Sequence, residues 1–550
     1  MTSDLWYKNA VIYSLDVETY MDSDGDGTGD FEGLVRRLDY INTLGIDTIW
    51  LAPFQPSPDR DDGYDITDYY GVSDRYGSSG DFVAFMHEAR NRGMRVVADL
   101  VVNHTSDEHP WFQAARSDPR SRYRDWYVWS EKQPPFWDQG MVFPGFQEST
   151  WSHDEQAKAY YYHRFYEFMP DLNVSNPEVR EEIQRIIGFW LQLDVSGFRV
   201  DAVPFLLEHA NPEVEDWDTD FEFLYALRRF LHLRAADGIL LGEANVEPPG
   251  QAPYFGKHGE GLQMMFNFWV NQHLFHALAA EDVRPLASAL EDTRLDSPFT
   301  QWANFLRNHD ELDLGRLTDE QRQLVFDRFA PEERMQLYDR GIRRRLAPML
   351  GARRHEELAQ SMMFSLPGTP VIRYGDEIGM GDDLRLEQRE AVRTPMQWSD
   401  DRHGGFSSAE ETTVPVIDEG EYSYHHVNVA SQERDPQSRL NWMRHIIRIR
   451  KQTPEIGWGD WQLLETDSPG ILALRFDWRD SAVITIHNFA DRAVDVHLEA
   501  GENAQTLTDL WSPAEVHAER NTGHRLTMEP CGYRWFRTRD GSNVARRGRR

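Results

Sequence analysis

The chain has 550 residues, with 58 basic and 92 acidic side chains and a formal net charge of −34. That length allows a large core and more than one domain, and so negative a surface opposes nucleic acid and anionic membranes as partners. A single cysteine, Cys531, excludes an intrachain disulfide and a cysteine-based zinc site.

The opening "MTSDLWYKNAVIY" lacks the basic and apolar regions of a secretory signal, and no run of about 18 apolar residues occurs. The expected location is the cytoplasm. From residue 10 to about 380, short apolar β-rich runs alternate with helical stretches. The runs are "AVIYSLDV", "DTIWLAPF", "RVVADLVVNH", "VSGFRVDAV", "GILLGEAN", "QMMFNFWV", "WANFLRNHDE" and "TPVIRYGDE", with amphipathic segments such as "DFVAFMHEARNRG" and "VREEIQRIIGFWLQL" between them. Eight buried strands with intervening helices predict an α/β fold, a parallel (β/α)8 barrel, with a doubly wound open sheet as the alternative.

After the first run comes "DSDGDGTGD", which sets Asp22, Asp24, Asp26 and Asp30 at alternating positions among glycines. Hard carboxylate oxygens and glycine turns, with the Thr28 carbonyl as a further ligand, are the composition of a calcium loop; an acidic solvated turn is the plain alternative. The connection after the third run, 104–175, is too long for a barrel loop and is rich in Trp, Tyr, Pro and Asp, so an inserted domain is expected there. The barrel then comprises 1–103 and 176–459. Beyond the helix "RLNWMRHIIRIRKQ", strands such as "ILALRFDW" and "SAVITIHNF" predict a C-terminal antiparallel β-sandwich over 460–540, followed by a disordered basic tail, 541–550. Lysine occurs at only five positions; the acidic, lysine-poor composition suits concentrated salt, and a GC-rich genome would equally favour arginine. The oligomeric state stays open between a single chain and a homo-oligomer.

Four runs end in polar residues: Asp99, Asn103 and His104; Arg199 and Asp201; Glu243; and Asn308, His309 and Asp310. In a barrel these ends converge on the face that carries the site. One buried carboxylate is often a structural ion pair; three from three strands suggest chemistry. Glycosidic cleavage with retention needs a carboxylic acid to protonate the leaving oxygen and a carboxylate nucleophile about 5 Å away. Arg199, two residues before Asp201, would hold it ionised, and Glu243 beside apolar "ILLG" would have the raised pKa of an acid/base.

"DLVVNH", "GFRVDAV", "GEAN" and "RNHDE", in that order, resemble the four motifs of the α-amylase family of retaining glycosidases and transglycosylases. "MPDLN" resembles its fifth motif and "GTPVIRYGDEIGM" its eighth strand. The resemblance implies Asp201 as nucleophile, Glu243 as acid/base and Asp310 as transition-state stabiliser, with His104 and His309 on the sugar. In "DDGYDITDYY" it implies Tyr64 stacked on the sugar ring and Asp65 paired with Arg393 of "RTPMQW", closing the pocket behind one glucose. It also implies the calcium loop after strand one, and a second calcium site of Asn103, Asp171 and Glu208 with carbonyls near Phe205 and Leu206. Within the family, the 311–350 segment is similar to that of the members that isomerise maltose to trehalose, so Ca2+ and a small α-glucoside are the expected cofactor and partner. An α-glucosidase or α-amylase is the nearest alternative. Some relatives are non-catalytic binding subunits with a membrane-spanning helix, which this chain lacks. Two departures stand out: "SLDVETY" in strand one, and Met169 where many oligosaccharide-acting members have Gln.

Overall fold

The computed structural model describes residues 3–214, 217–501, 504, 506–517 and 523–539; the basic tail lies outside the described residues. The eight apolar runs form β1 (Ile12–Leu15), β2 (Thr48–Leu51), β3 (Arg95–Leu100), β4 (Gly197–Val200), β5 (Ile239–Gly242), β6 (Met264–Phe266), β7 (Gln301–Phe305) and β8 (Thr369–Arg373). Each pairs in parallel with its sequence neighbour, and β8 pairs with β1, so the sheet closes.

The period-2 alternation of a strand sorts its side chains into two shells. Facing the barrel axis are Ile12, Trp50, Val97, Ile239, Leu241, Met264, Phe266, Ala303, Phe305 and Val371. Facing the helices are Ile49, Val96, Ala98, Phe198, Val200 and Leu240 among many others. The inward parity therefore runs Val97–Asp99 on β3, Gly197–Arg199–Asp201 on and just past β4, and Ile239–Leu241–Glu243 along β5. Asp99 and Arg199 are register partners across β3 and β4. The charged residues thus continue the inward face beyond its apolar layers, at the C-terminal mouth.

Helices such as Ser79–Asn91, held by a capping box between Ser78 and Asp81, and Pro177–Gln192, capped by Asn176, pack outside. In the 104–175 insertion, three short antiparallel strands, Trp129–Ser130, Ala159–Tyr162 and Trp151–Asp154, form a separate sheet. A second small sheet joins Leu312–Asp313, Gly341–Ile342 and Gln336–Leu337 within 311–350. The C-terminal strands form a six-stranded and a two-stranded sheet, all antiparallel, around their own apolar core. Trp535 Nε1 donates to Ser361 Oγ (3.0 Å), fixing that unit to a barrel helix. Among the described residues, no helix is long and apolar enough to cross a membrane.

Candidate active site

A cavity of about 410 Å³ opens at the C-terminal mouth, lined by Asp201, Glu243 and Asp310 together with Tyr64, His104, His309, Met169 and Arg389. That volume is in the range of small-ligand sites. A larger cavity, about 500 Å³, lies at the opposite strand ends against residues 456–461 and contains none of the three carboxylates.

Arg199 is the hub of one side. Its Nη1 donates to Asp201 Oδ1 (2.5 Å) and Asp99 Oδ1 (2.7 Å), and its Nη2 pairs with Glu243 Oε2 (2.7 Å). Asp99 also accepts from Trp50 Nε1 (3.1 Å) and the Tyr64 hydroxyl (3.2 Å). One buried guanidinium is therefore shared by three carboxylates. Burial raises Asp201 to about 6 against the pull of Arg199, and raises Glu243 to about 7, with the neighbouring Asp201 and Asp310 charges adding to the rise. After Asp201 the chain turns through Ala202, whose backbone is left-handed (φ 48°). This strained turn lets the Ala202 N–H donate to Glu243 Oε2 (3.2 Å), linking the two carboxylate positions through the backbone.

Asp310 has the opposite surroundings. Arg389 (3.1 Å) and Arg393 (3.2 Å) both pair with its Oδ1, and His309 Nε2 lies 3.1 Å from its Oδ2. Burial opposes its ionisation, yet the guanidinia of Arg389, Arg393 and Arg199 hold it below the ordinary carboxylate range. Tyr64 lies stacked on the His309 ring, with centroids 5.5 Å apart and planes 12° from parallel. Its hydroxyl is 2.8 Å from His309 Nε2. Burial lowers His309 well below its usual value and His104 to about 4, so both rings are neutral. His104 reaches the cavity, but its Nε2 donates to the Tyr64 carbonyl (3.1 Å).

The expected Asp65–Arg393 pair does not form. Asp65 accepts from Ser57 Oγ (2.8 Å) and Arg60 Nε (3.1 Å), is fully buried, and does not line the cavity. Arg393 instead pairs with Asp62 (3.2 Å) and Glu390 (3.1 Å) besides Asp310. The physical reason is the loop backbone: Asp59, Asp62 and Gly63 are left-handed, so strand-like alternation fails and neighbouring side chains diverge.

Sequence reasoning missed Arg389, one helical turn before Arg393 in Gln388–Val392. It also missed the roof. Phe143 of the insertion packs on Tyr166 and Tyr338 (centroids 4.6 and 5.1 Å), and Arg340 Nη2 donates to the Val142 carbonyl (2.9 Å). The insertion and the 311–350 segment thus meet over the mouth, and Asp313, Arg316 and Arg340 line the cavity.

In the 22–30 loop, carboxylate oxygens of Asp22, Asp24 and Asp30 lie within 4.8 Å of one another. Asp22 also accepts the N–H groups of Gly25 (2.7 Å) and Gly27 (2.9 Å), and both glycines are left-handed. Asp26 turns outward, exposed, and accepts from the Thr28 N–H (2.8 Å); the Thr28 hydroxyl meets that of Thr413. The three oxygens fit a hard divalent cation, and Asp26 stands outside that trio. Of the second expected set, Asn103 Nδ2 donates to Asp171 Oδ2 (3.0 Å), and the Arg164 backbone N–H donates to Asp171 Oδ1 (2.9 Å). The Arg164 guanidinium pairs with Glu208, so an arginine already supplies positive charge there.

The sequence matches the family description "Alpha amylase, catalytic domain" over residues 14–331 and 342–459, and "Sucrose hydrolase-like, C-terminal domain" over 481–537. A trehalose synthase of Thermus thermophilus is 43% identical over 97% of this chain, which spans only 55% of that protein's length. A trehalose synthase of Pimelobacter sp. is 39% identical over 98% of this chain and 97% of its own. The solved trehalose-6-phosphate hydrolase of Bacillus licheniformis is 26% identical and superposes with a TM-score of 0.79, covering 97% of this chain and all of that one.

Proposed function

The chain belongs to the alpha-amylase family, and on that premise we propose that it interconverts maltose and trehalose by intramolecular glucosyl transfer. Glu243, raised to about 7, donates its proton to the glycosidic oxygen as Asp201 attacks the anomeric carbon. The C–O bond to the leaving glucose breaks and a β-glucosyl–Asp201 ester forms. The freed glucose turns within the closed cavity. Its anomeric hydroxyl then attacks the anomeric carbon of the ester and displaces the Asp201 carboxylate, Glu243 takes that proton back, and trehalose leaves with Asp201 restored. Ionised Asp310 grips sugar hydroxyls and supports positive charge at the anomeric carbon. Tyr64, His104 and His309 form the wall against that glucose. Arg199 and Arg393 act through the carboxylates they hold, and Asp65 acts by fixing the loop.

The observation that carries the isomerase reading is the roof. The 311–350 sheet meets Phe143 over the carboxylates, which supports retention of glucose and exclusion of water during its turn. Hydrolysis is the second reading, since the similar trehalose-6-phosphate hydrolase shares the barrel. Products from maltose separate the two. Trehalose should dominate, with glucose minor, and labelled free glucose should enter trehalose poorly. Glucose as the main product without trehalose sinks the isomerase.

We further propose that Asp22, Asp24 and Asp30 hold Ca2+, with Asp26 and Thr28 shaping the loop. The ion would neutralise the clustered charge and brace the turn between β1 and its helix. At Asn103, Asp171 and Glu208, a second Ca2+ would have to displace Arg164 from Glu208. Chelation should lower the melting temperature by a few degrees, because binding to the native state alone stabilises it. Asp24→Ala with Asp26→Ala should remove most of that sensitivity; a wild-type melt indifferent to strong chelator speaks against the loop.

A further inference from the structure

Just past β1, outside the cavity lining, lies a second group of acids that neither the proposed reaction nor the calcium loop uses. Asp16 and Glu18 lie two apart, with Val17 between them in the helix-facing core. One carboxylate oxygen from each of Asp16, Glu18 and Asp62 lies within 4.8 Å of the others. Asp16 and Glu18 are each only 5% exposed. Asp16 Oδ1 accepts the Glu18 N–H (3.1 Å), but Asp16 Oδ2 is buried with no hydrogen-bond partner; Asp59 Oδ1, beside the group, is likewise buried and unpartnered. Arg75 bridges Glu18 and Asp59, and Arg393 holds Asp62 but divides its charge with Asp310 and Glu390. Arg373, the remaining nearby cation, spends an Nη2 on the Val392 carbonyl.

A buried carboxylate oxygen without a donor is costly, and four acids at one spot repel one another. Two fillings relieve this: protons or a cation. The group's chemistry is that of a hard divalent-ion site: three carboxylate oxygens close together, with Arg75 paired to Glu18 and Arg393 to Asp62. Access is present, since the side chains of Asp59 and Arg75 are 25% and 34% exposed.

We propose that Asp16, Glu18 and Asp62 bind a divalent cation of the Ca2+/Mg2+ class, separate from the 22–30 loop. The ion would bear on Asp62, one ion pair from Arg393 and two from Asp310. "SLDVETY", the strand-one sequence that departs from the family resemblance, supplies two of the ligands.

The test is a count of Mn2+ bound per chain, by electron paramagnetic resonance on chelator-treated full-length protein. Four proteins are compared: wild type, Asp24→Ala, Asp16→Asn, and the double variant; Glu18→Gln stands in should Asp16→Asn not fold. Asp24→Ala and Asp16→Asn should each lose one ion, the double variant two, and Ca2+ should displace both. Without metal, Asp16→Asn should melt higher than wild type, because a repelling charge is gone; with metal, that advantage should shrink or reverse. An ion count unchanged by both Asp16→Asn and Glu18→Gln overturns the proposal. So does a melting advantage of Asp16→Asn that is the same with and without metal, since protons then fill the cluster.

Discussion

The two halves of the carboxylate site use the same ingredients in opposite proportion. Around Arg199, one guanidinium serves Asp99, Asp201 and Glu243. Around Asp310, two guanidinia converge on one carboxylate, although Arg389 also pairs with Glu311 and Arg393 with Asp62 and Glu390. All of these groups are buried, so desolvation raises every carboxylate, and the local ratio of charges decides the net result. Where cations are scarce, Asp201 and Glu243 stay high, at about 6 and 7. Where they are plentiful, Asp310 stays ionised throughout. The proposed acid, nucleophile and permanent anion would then arise from one residue chemistry placed in two surroundings.

The largest effect is expected at Asp201. Asp201→Asn keeps the volume and relieves competition for Arg199, so the fold should survive while turnover of maltose falls by about 10^4-fold or more. A folded variant within a hundredfold of wild type would show that the Arg199 side does not carry the nucleophile. Next in size is Arg389→Met, which takes away the strongest cation on Asp310. The Asp310 pKa should rise toward the ordinary range, still below the acid limb that Asp201 sets near 6, so kcat/KM should fall by about 10^2-fold with that limb in place. A folded variant that keeps nearly wild-type kcat/KM would mean that Arg389 serves packing against Phe143 alone. Smallest is Asp99→Asn. It removes one competitor for Arg199 and a negative neighbour of Asp201, so the Asp201 pKa should drop. Activity should then extend to lower pH, because the nucleophile stays ionised there. An acid limb that stays put or moves up contradicts the shared-guanidinium account.

Much of this was legible in the chain because it rests on period-2 order. Each barrel strand showed as an apolar run, and Asp99, Arg199, Asp201 and Glu243 fell on the inward parity of strands whose pairing follows chain order. The same order failed where backbone left the extended region. At 59–63 the left-handed residues turned Asp62, rather than Asp65, toward Arg393. Arg389 sits on a short 3-10 turn, and nothing in its neighbours shows that it returns to Asp310 across some eighty residues of chain. The roof depended on contact between Phe143 and Tyr338, two loop aromatics nearly two hundred residues apart. The aromatic richness of the insertion was visible; its partner was not, since such a contact is set by packing of two independent loops. The Asp16–Glu18–Asp62 group was hidden for the same reason, and strand-one's odd sequence was its one outward sign.

In the proposed transfer Glu243 is the proton donor, its surroundings holding its pKa near 7 while Asp201 is ionised. The pH dependence of kcat/KM tests it, measured with maltose and with an aryl α-glucoside whose leaving group needs no protonation. Wild type on maltose should give a narrow bell, with an acid limb near 6 from Asp201 and an alkaline limb near 7 from Glu243; the two values belong to the coupled pair. Above the alkaline limb Glu243 has lost its proton, so maltose cleavage falls. On the aryl glucoside, Glu243→Gln should retain activity and lose that alkaline limb. An alkaline limb that persists in Glu243→Gln would assign the proton to another group and contradict the account.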